Sequence, residues 1–571
     1  MVISALVGRT VASLPMETFT PSTTSVGGNV TLTALVGVIP LLSFFILLGA
    51  FKVKTHWCAL ISLALSIVLA IVAFNMPAVM TVASASQGLA LGFVPIIYII
   101  IAAVWLYNLT EVSHRSQDLR SIFNVIGKGD IRIQALLVSF SFCALLEGLA
   151  GFGAPVAISS AMLITLGVPK IRAALLAIVG NAIFVGFGAM SIPITTAGKL
   201  GGVAPTYVAT VMGHLASLIT LFIPFVLLFI MDGFRGIRQV WPLALVAGGA
   251  ASIGMFVTSM LSYELTDVAA ALLSFAAAYA FLQVWTPKTA PEMNAATNDA
   301  DSRSLSRQRV VLALLPYVLV VVIIAITKLW TIGVDLKDVL KATDIKIQWP
   351  GVYGSLLTDS GKPSSAAIYS LSTLSNPGTW ILVTGLIVTV VYAKYSTDHD
   401  RALPLNKGLA TLPTTIYNLR WAIVTIGAVM ALAYVMNFSG QTTSIGAALA
   451  QTGAAFAFLA PILGWTGTAV AGSATSAGAL FANLQATAAA GAGLNPGVLL
   501  AANTVGGGLG KIVSPQNLAI VATSVEAEGS EAEILRKAVP YSLVLLLVLC
   551  TLVFAASQGW FGAYIPALPA E

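Results

Sequence analysis

Apolar runs of about twenty residues recur along most of the chain, and short polar stretches separate them. A helix of roughly twenty apolar residues crosses the hydrocarbon core of a bilayer. Transmembrane β-strands would show alternating apolar and polar positions, which these runs lack. The pattern therefore predicts helical membrane spans near residues 30–51, 56–75, 84–108, 171–195, 207–231, 237–258, 265–285, 310–330, 378–394, 415–436, 498–523 and 539–558.

Two more apolar regions, 132–168 and 441–490, are interrupted in the middle by glycines. Each is either a re-entrant hairpin or a pair of full helices, and the sequence leaves both possibilities open. The polar connections between the runs fall at 109–131, 286–309, 331–377 and 395–414. In the longest connection, the alternating stretch IKIQWPGVYG predicts a short strand within a small extramembrane elaboration.

The composition agrees with this pattern. Of the 571 residues, 58% are apolar and 9% are charged, whereas soluble domains carry about 25% charged residues. We therefore predict an all-α polytopic membrane protein with about 12 spans and two glycine-broken hairpin regions. The net charge of +6 comes without a basic patch and interleaved aromatic residues, so no nucleic-acid partner is predicted.

Residues that would mark an enzyme or a metal centre are scarce. The cysteines, Cys58, Cys143 and Cys550, lack the spacing of a metal site or a disulfide and are expected to be buried small apolar residues. The four histidines are scattered, and neither an HExxH motif nor a phosphate-binding loop occurs. We expect no enzyme activity, no metal and no cofactor. Residues 1–29 also lack the pattern of a cleaved signal peptide.

The positions of Lys and Arg in short loops predict the orientation, because cytoplasmic loops are enriched in these residues. When the loop with Lys52 and Lys54 is placed inside, most of the 28 Lys and Arg residues fall inside. Both termini and the loop 331–377 then lie outside. For the charges to fit, region 132–168 must enter and leave on the inside face, and region 441–490 on the outside face.

The chain divides into two transmembrane halves that share the motif N-x4-G-x-G-x4-P, each preceded about thirty residues earlier by a tip of small residues. The tips are AGFGAP at 150–155 and AGSATSAG at 471–478. Because the two motif spans cross in opposite directions, they predict an inverted-topology repeat with a site near the midplane. The motif residues are Asn181, Gly186, Gly188 and Pro193, and then Asn503, Gly508, Gly510 and Pro515. The predicted units are an extracytoplasmic tail at 1–29, repeat one at 30–285, a cytoplasmic linker at 286–309, repeat two at 310–560 and a C-terminal tail at 561–571.

Glycine and proline at these positions break helices inside the membrane. Freed backbone groups are tolerated there only where they line a cavity or bind a ligand, and helix N-termini at the breaks suit a carboxylate. Close helix packing is the alternative explanation for each single glycine. The polar residues predicted to hydrogen-bond a small solute are Asn181, Ser473, Thr475, Ser476, Gln485, Asn503, Ser514 and Gln516.

Glu147 and Lys511 are charged residues within apolar segments. Insertion scales give roughly 2.5–3.5 kcal/mol for a charged residue at the bilayer centre, so such a residue indicates a functional site. Because the two belong to different repeats, we expect them to meet. Glu147 is the predicted proton-coupling residue. Burial favours a neutral carboxyl group and a nearby cation favours a carboxylate, so a residue under both effects could gain and lose a proton. Lys511 is the predicted partner of an anionic substrate, and a purely structural ion pair is the alternative.

His214, inside the predicted span 207–231, is a second candidate for proton coupling. The alternative is a hydrogen-bonded interior histidine. Asp232 ends the same span and is predicted to be an interfacial anchor.

A family resemblance rests on four segments: LEGLAGFGAPVAIS, GNAIFVGFGAMSIPI, GSATSAGALFANLQATAA and AANTVGGGLGKIVSPQNLAI. Together they resemble the L-lactate permease family of bacterial proton symporters. The resemblance implies uptake of L-lactate, and of D-lactate, glycolate or other 2-hydroxymonocarboxylates, with protons across the cytoplasmic (inner) membrane. It also implies kinship with the ion-transporter superfamily, whose paired hairpins move as an elevator. By that analogy the tip residues Gly151, Phe152 and Gly153, and the break residue Gly188, approach the substrate.

One departure from the family pattern changes the expected chemistry. The family usually reads GSDTSSN where this chain reads GSATSAG, so Ala474 replaces an acid and Gly478 an asparagine. Glu147 is then expected to be the only carboxylate available to carry a proton, or else the substrate or the coupling differs from that of the family.

The main hypothesis is a proton-coupled importer of L-lactate and related hydroxy acids. A carrier of another small organic anion, sodium-coupled or uncoupled, is one alternative, and a passive anion channel is another. The expected partners are a small carboxylate, the proton and the lipid bilayer, and a homodimer is left open as the assembly.

Overall fold

The structure is a computed structural model that describes residues 17–51, 53–115, 117–118, 121–122, 130–149, 151, 153–287, 306–329, 334–358, 361–395, 403–527 and 529–568. Phe152 and most of the predicted linker 286–309 lie outside the described residues. Within them, eleven helices are long and apolar enough to cross a membrane, or twelve if the bent pair Lys170–Ala182 and Val185–Leu200 counts as one span. The protein is therefore a polytopic helical membrane protein, as predicted.

Each half of the chain contributes a series of helices. The first half forms α1 (Val30–Gly37), α2 (Ile39–Gly49), α3 (Thr55–Val72), α4 (Ala78–Leu91), α5 (Tyr98–Val112), α6 (Ile131–Leu149), α7 (Ala154–Thr165), α8 (Lys170–Ala182), α9 (Gly188–Leu200), α10 (Pro205–Thr220), α11 (Ile223–Leu261) and α12 (Thr266–Val284). The second half forms α13 (Arg307–Leu329), α14 (Leu336–Lys341), α15 (Pro377–Tyr395), α16 (Leu405–Ser439), α17 (Gln441–Ala450), α18 (Phe456–Ala471), α19 (Ala474–Gly491), α20 (Pro496–Lys511), α21 (Pro515–Ser524) and α22 (Glu531–Ser557).

The predicted spans correspond to these helices, with two corrections in repeat two. Helix α16 begins at Leu405, ten residues before the predicted span 415–436, so the polar connection is shorter than predicted. Region 441–490 is not one interrupted element. Gly440 has a left-handed φ of 89° and separates α16 from the short α17. The hairpin itself consists of α18 and α19.

The first broken region, 132–168, forms a hairpin of α6 and α7. Helix α7 has 12 residues and is therefore about 18 Å long, shorter than the ~30 Å hydrocarbon core. Its length favours a re-entrant hairpin over a pair of full spans. Helix α6 carries a π-helical turn at Leu137–Phe142, a feature that often occurs at functional sites.

A small sheet confirms the strand predicted in the connection 331–377. Strand β1 (Ile345–Gln348) pairs antiparallel with β2 (Ile368–Leu371), and Ile345 lies opposite Leu371. The backbone of Phe19 pairs with Leu356 in the same connection. The N-terminal segment and this connection, both predicted to lie outside, therefore lie on one side of the molecule.

Residues predicted to lie inside also contact each other. Arg132 pairs with Asp232 at 3.2 Å, and Lys170 lies 3.6 Å from Glu526. Asp232, the predicted interfacial anchor, also pairs with Arg235 where α11 bends at Gly233. Each of these ion pairs joins residues that are predicted to lie on the same face.

The two halves pack on each other reciprocally. Helix α7 of the first hairpin contacts α21, which follows the break in repeat two. Helix α19 of the second hairpin contacts α9, which follows the break in repeat one. Such reciprocal contacts are what a two-fold relation between repeats produces. Both breaks and both tips consequently meet in the centre of the molecule.

Candidate functional site

A small cavity lies where the two hairpin tips meet the two helix breaks. Hairpin one contributes Glu147, hairpin two contributes residues 472–475, and the breaks contribute residues 188–189 and Lys511. The volume is about 70 Å³. A water needs roughly 10–15 Å³ of such space, so the cavity has room for a solute of about five or six heavy atoms.

Glycines form the sharp bends at both tips. Gly151 and Gly153 have φ angles of 58° and 88°, and Gly472 has a φ of 72°. These left-handed values suit glycine, which has no Cβ. At Gly472 a Cβ would also lie 2.3 Å from the side-chain oxygen of Gln516. Both the φ angle and the space therefore require glycine at the second tip.

The break in repeat one has an unusual backbone. Ala189, Met190 and Ser191 take consecutive left-handed φ angles of 44°, 56° and 61°. This conformation costs roughly 1–2 kcal/mol per non-glycine residue, and such strain clusters at functional sites. The Ser191 hydroxyl donates to the Tyr263 carbonyl at 2.6 Å, which helps to hold the turn. The sequence predicted a break here but not its left-handed form.

Four helix N-termini converge on the cavity. Helix α7 begins at Ala154, α19 at Ala474 and α21 at Pro515, and the regular part of α9 begins after Ser191. Ser473 caps α19, since its hydroxyl accepts from the Ser476 amide at 3.2 Å. Each N-terminus carries partial positive charge from unpaired N–H groups. The cavity is therefore suited to an anion.

Glu147 and Lys511 meet at the edge of this cavity, as predicted. The Lys511 Nζ lies 3.2 Å from Glu147 Oε1 and 3.5 Å from Oε2. Both side chains are almost fully buried. Asn181 donates its amide to Glu147 Oε2 at 2.8 Å. Gly188 provides space for the carboxylate, because a Cβ there would lie 2.6 Å from Oε1.

The other residues predicted to contact substrate differ in their placement. Gly151, Gly153, Gly188, Ser473, Thr475, Lys511 and Gln516 line the cavity. Ser476 faces a neighbouring, wider cavity, and Ser514 caps α21 by accepting from the Asn517 amide at 3.3 Å. Asn503 is not among the lining residues, and its side-chain oxygen accepts a hydrogen bond from Gln485 at 3.2 Å.

The structure does not bring His214 to the cavity. Its ring stacks on Phe256 at 4.2 Å and hydrogen-bonds to the Tyr564 carbonyl near the C-terminus. This environment agrees with the alternative of a hydrogen-bonded interior histidine.

Two polar residues near the cavity were missed from the sequence. Asn517 lines it, and its side-chain oxygen has no hydrogen-bond partner among the described residues. Its position directly after Gln516 was the available signal. Asp267 is fully buried near Glu147, so a second carboxyl group lies beside the one that the sequence indicated. Asp267 lies at the start of a predicted span, where an acid resembles an interfacial residue.

A wider cavity of about 1100 Å³ adjoins the site and shares Ser473 and Gln516 with it. Its far end is lined by Lys54 and by His56, whose ring stacks on Trp421 at 4.3 Å. The site is thus next to an opening that leads towards the loop with Lys54.

The family model described as L-lactate permease matches residues 33–558. The chain belongs to the L-lactate permease family. This permease is 35% identical to the glycolate permease of Escherichia coli K12, over 91% of this chain and 95% of that protein. It is 34% identical to the L-lactate permease of Bacillus subtilis 168, over 94% of this chain and 98% of that protein.

Two solved membrane transporters are weakly similar to this permease. Neisseria gonorrhoeae MtrF has 14% identity and a TM-score of 0.44, with 83% of each chain covered. The Alcanivorax borkumensis YdaH transporter has 15% identity and a TM-score of 0.39, with 94% of this chain and 99% of that chain covered.

Proposed function

We propose that this permease imports L-lactate, and related 2-hydroxymonocarboxylates such as D-lactate and glycolate, together with protons across the cytoplasmic membrane. Its relatives are named permeases of L-lactate and of glycolate, and both substrates are small 2-hydroxy acids. The observation that carries the proposal is the buried Glu147–Lys511 pair beside a cavity of about 70 Å³. Lactate has six heavy atoms, which matches that space.

The substrate carboxylate would bind Lys511 and the N-terminal amides of α19 and α21. A charged hydrogen bond of this kind is stronger than one between neutral groups. The side-chain oxygen of Asn517, which has no hydrogen-bond partner in the described part of the chain, would accept a hydrogen bond from the 2-hydroxyl group. Ile192 and Ile520 supply apolar surface for the remaining carbon atoms. Together these contacts select a small hydroxy acid.

Proton coupling follows from the balance of buried charge. Before substrate binds, Lys511 neutralises Glu147. When the substrate carboxylate pairs with Lys511, the site would hold two negative charges and one positive charge. Glu147 would then lack a counter-ion, and an unpaired buried ion costs several kcal/mol. Protonation of Glu147 removes that charge. Binding of one anion is thereby linked to binding of one proton.

The wide cavity offers a route between the site and one face of the membrane. It ends at Lys54, which the charge distribution predicts to lie inside. We propose that this conformation opens to the cytoplasm, that both termini lie outside, and that motion of the two hairpins opens the site to the other face.

Uptake of labelled L-lactate into proteoliposomes tests the function. We expect an acidic exterior to drive accumulation, and a protonophore to abolish it. Unlabelled glycolate should compete, whereas acetate, which lacks the hydroxyl, should compete poorly. Uptake that does not depend on the pH gradient would exclude proton coupling. Uptake driven by a sodium gradient would support the alternative of a sodium-coupled carrier. Counterflow distinguishes a carrier from a channel.

A further inference from the structure

A second carboxyl group, Asp267, is buried beside the Glu147–Lys511 pair. It is 0% exposed, and neither of its oxygens has a hydrogen-bond partner among the described residues. It lies in the first turn of α12, which packs on α6. A Cβ on Gly148, the neighbour of Glu147, would lie 2.9 Å from the Asp267 Cβ. The two acids are therefore close in space.

The surroundings of Asp267 favour its neutral form. An unpaired ion in such a place costs several kcal/mol, whereas a helix N-terminus returns only about 0.3–1 kcal/mol. The nearby cation, Lys511, is already paired with Glu147 at 3.2 Å. Protonation of Asp267 would avoid that cost, whereas Glu147 already has Lys511 as its counter-ion.

Several titratable groups lie near Asp267 in the structure or the chain. Glu147 and Lys511 are close enough to interact with its charge, and Glu264 precedes it by about one turn, next to Tyr263. The adjoining stretch of α11, residues 241–261, contains no titratable residue. Glu264 lines a cavity of about 390 Å³ that Lys199 and Asp344 also line. This cavity lies at the opposite face from Lys54 according to the predicted topology.

We propose that Asp267 relays protons from this outer cavity to Glu147. The inference rests on the proposed proton-coupled import. When the substrate carboxylate takes Lys511, the proton leaves the carboxyl oxygen of Asp267 and binds a carboxylate oxygen of Glu147. Glu264 at the outer cavity then passes a proton from water to Asp267. One proton enters for each anion, and Asp267 supplies the second acid that Ala474 does not.

The test compares wild type, Asp267→Asn and the control Glu111→Gln in proteoliposomes. Glu111 is a half-buried acid that accepts from Tyr107 at 2.6 Å and does not line the site. Two rates are measured for each protein: lactate uptake driven by an acidic exterior, and lactate counterflow at equal pH. In Asp267→Asn we expect the ratio of acid-driven uptake to counterflow to fall at least about tenfold. Its dependence on external pH should also flatten, whereas Glu111→Gln should match wild type.

The outcomes separate the relay from the proposed function. If an acidic exterior drives lactate uptake by wild type and the ratio of uptake to counterflow is unchanged in Asp267→Asn, the relay is overturned and proton-coupled import is not. A wild type without acid stimulation overturns proton-coupled import and the relay with it. If Asp267→Asn does not elute as a folded protein, Glu264→Gln decides, because an unchanged ratio in that variant overturns the relay.

Discussion

Glu147 and Lys511 are 364 positions apart in the chain and meet because the repeats pack reciprocally. The shared motif aligns Lys511 with Ala189, and the tips align Glu147 with Thr468. Each repeat thus supplies one charge, while its counterpart position holds a neutral residue. This asymmetry leaves the site with one cation for two possible anions, Glu147 and a bound substrate.

The buried pair predicts a characteristic pattern of stability. Removal of one partner leaves the other charge unpaired, at about 3–5 kcal/mol. Glu147→Gln and Lys511→Met should therefore each lower the thermal unfolding midpoint in detergent. The double variant should be more stable than the sum of the two losses predicts, because it contains no unpaired charge. Strictly additive losses would show that the two residues do not interact.

Gly188 is predicted to be essential for the position of Glu147. A Cβ at this residue would lie 2.6 Å from Glu147 Oε1, and overpacking of this kind costs about 1–3 kcal/mol. Gly188→Ala should reduce the initial rate of lactate uptake by roughly tenfold or more. Gly249→Ala is the control, because its Cβ would meet only Leu221, at 4.0 Å. Equal uptake by both variants would contradict this role.

At the scale of elements, the two breaks share a motif but not a backbone conformation. Repeat one passes through three left-handed residues before Pro193. In repeat two, α20 ends at Lys511 and Ser514 caps the next helix. The strained break lies against the Glu147 carboxylate, and the relaxed break carries the cation. Local sequence alone did not indicate this difference.

The N-terminus of α19 is predicted to contribute to substrate affinity. Loss of an N-cap costs about 0.5–2 kcal/mol, so Ser473→Ala should raise the KM for lactate by roughly fivefold. Asn29→Ala is a matched control, since Asn29 caps α1 by accepting from the Leu32 amide at 3.1 Å. Both variants should keep wild-type expression in the membrane. An unchanged KM in Ser473→Ala would show that the N-terminus of α19 does not hold the carboxylate.

At the scale of the whole molecule, the loops fall into two sets on opposite sides. Phe19 pairs with the connection that contains Lys346, and Lys170 contacts Glu526 on the other side. The charge distribution predicts which set faces the cytoplasm.

Cysteine labelling tests that orientation. The native cysteines are buried, so an introduced thiol should dominate the signal. Lys346→Cys, on the exposed β1, should react with a membrane-impermeant maleimide in intact cells. Lys537→Cys, on the opposite side, should react only after permeabilisation. The reverse pattern would place both termini in the cytoplasm and invert the predicted direction of each hairpin.

The sequence by itself determined the class of protein, most spans and the central charged residues. Hydrophobic length is a local property, and a charge within an apolar run is visible without a structure. The tips and breaks were visible for the same reason, since glycine and proline act on their own backbone.

Only the tertiary structure decided which residues share the cavity. The burial of a side chain depends on which distant segments pack against it, and a local sequence pattern does not indicate those segments. Asp267 therefore looked like the polar end of a span, and His214 looked like a possible relay. Asn503 and Asn181 occupy equivalent motif positions, yet only Asn181 touches Glu147. The meeting of Glu147 with Lys511 followed from the repeat, whereas the buried neighbour Asp267 became apparent only from the packing of α12 against α6.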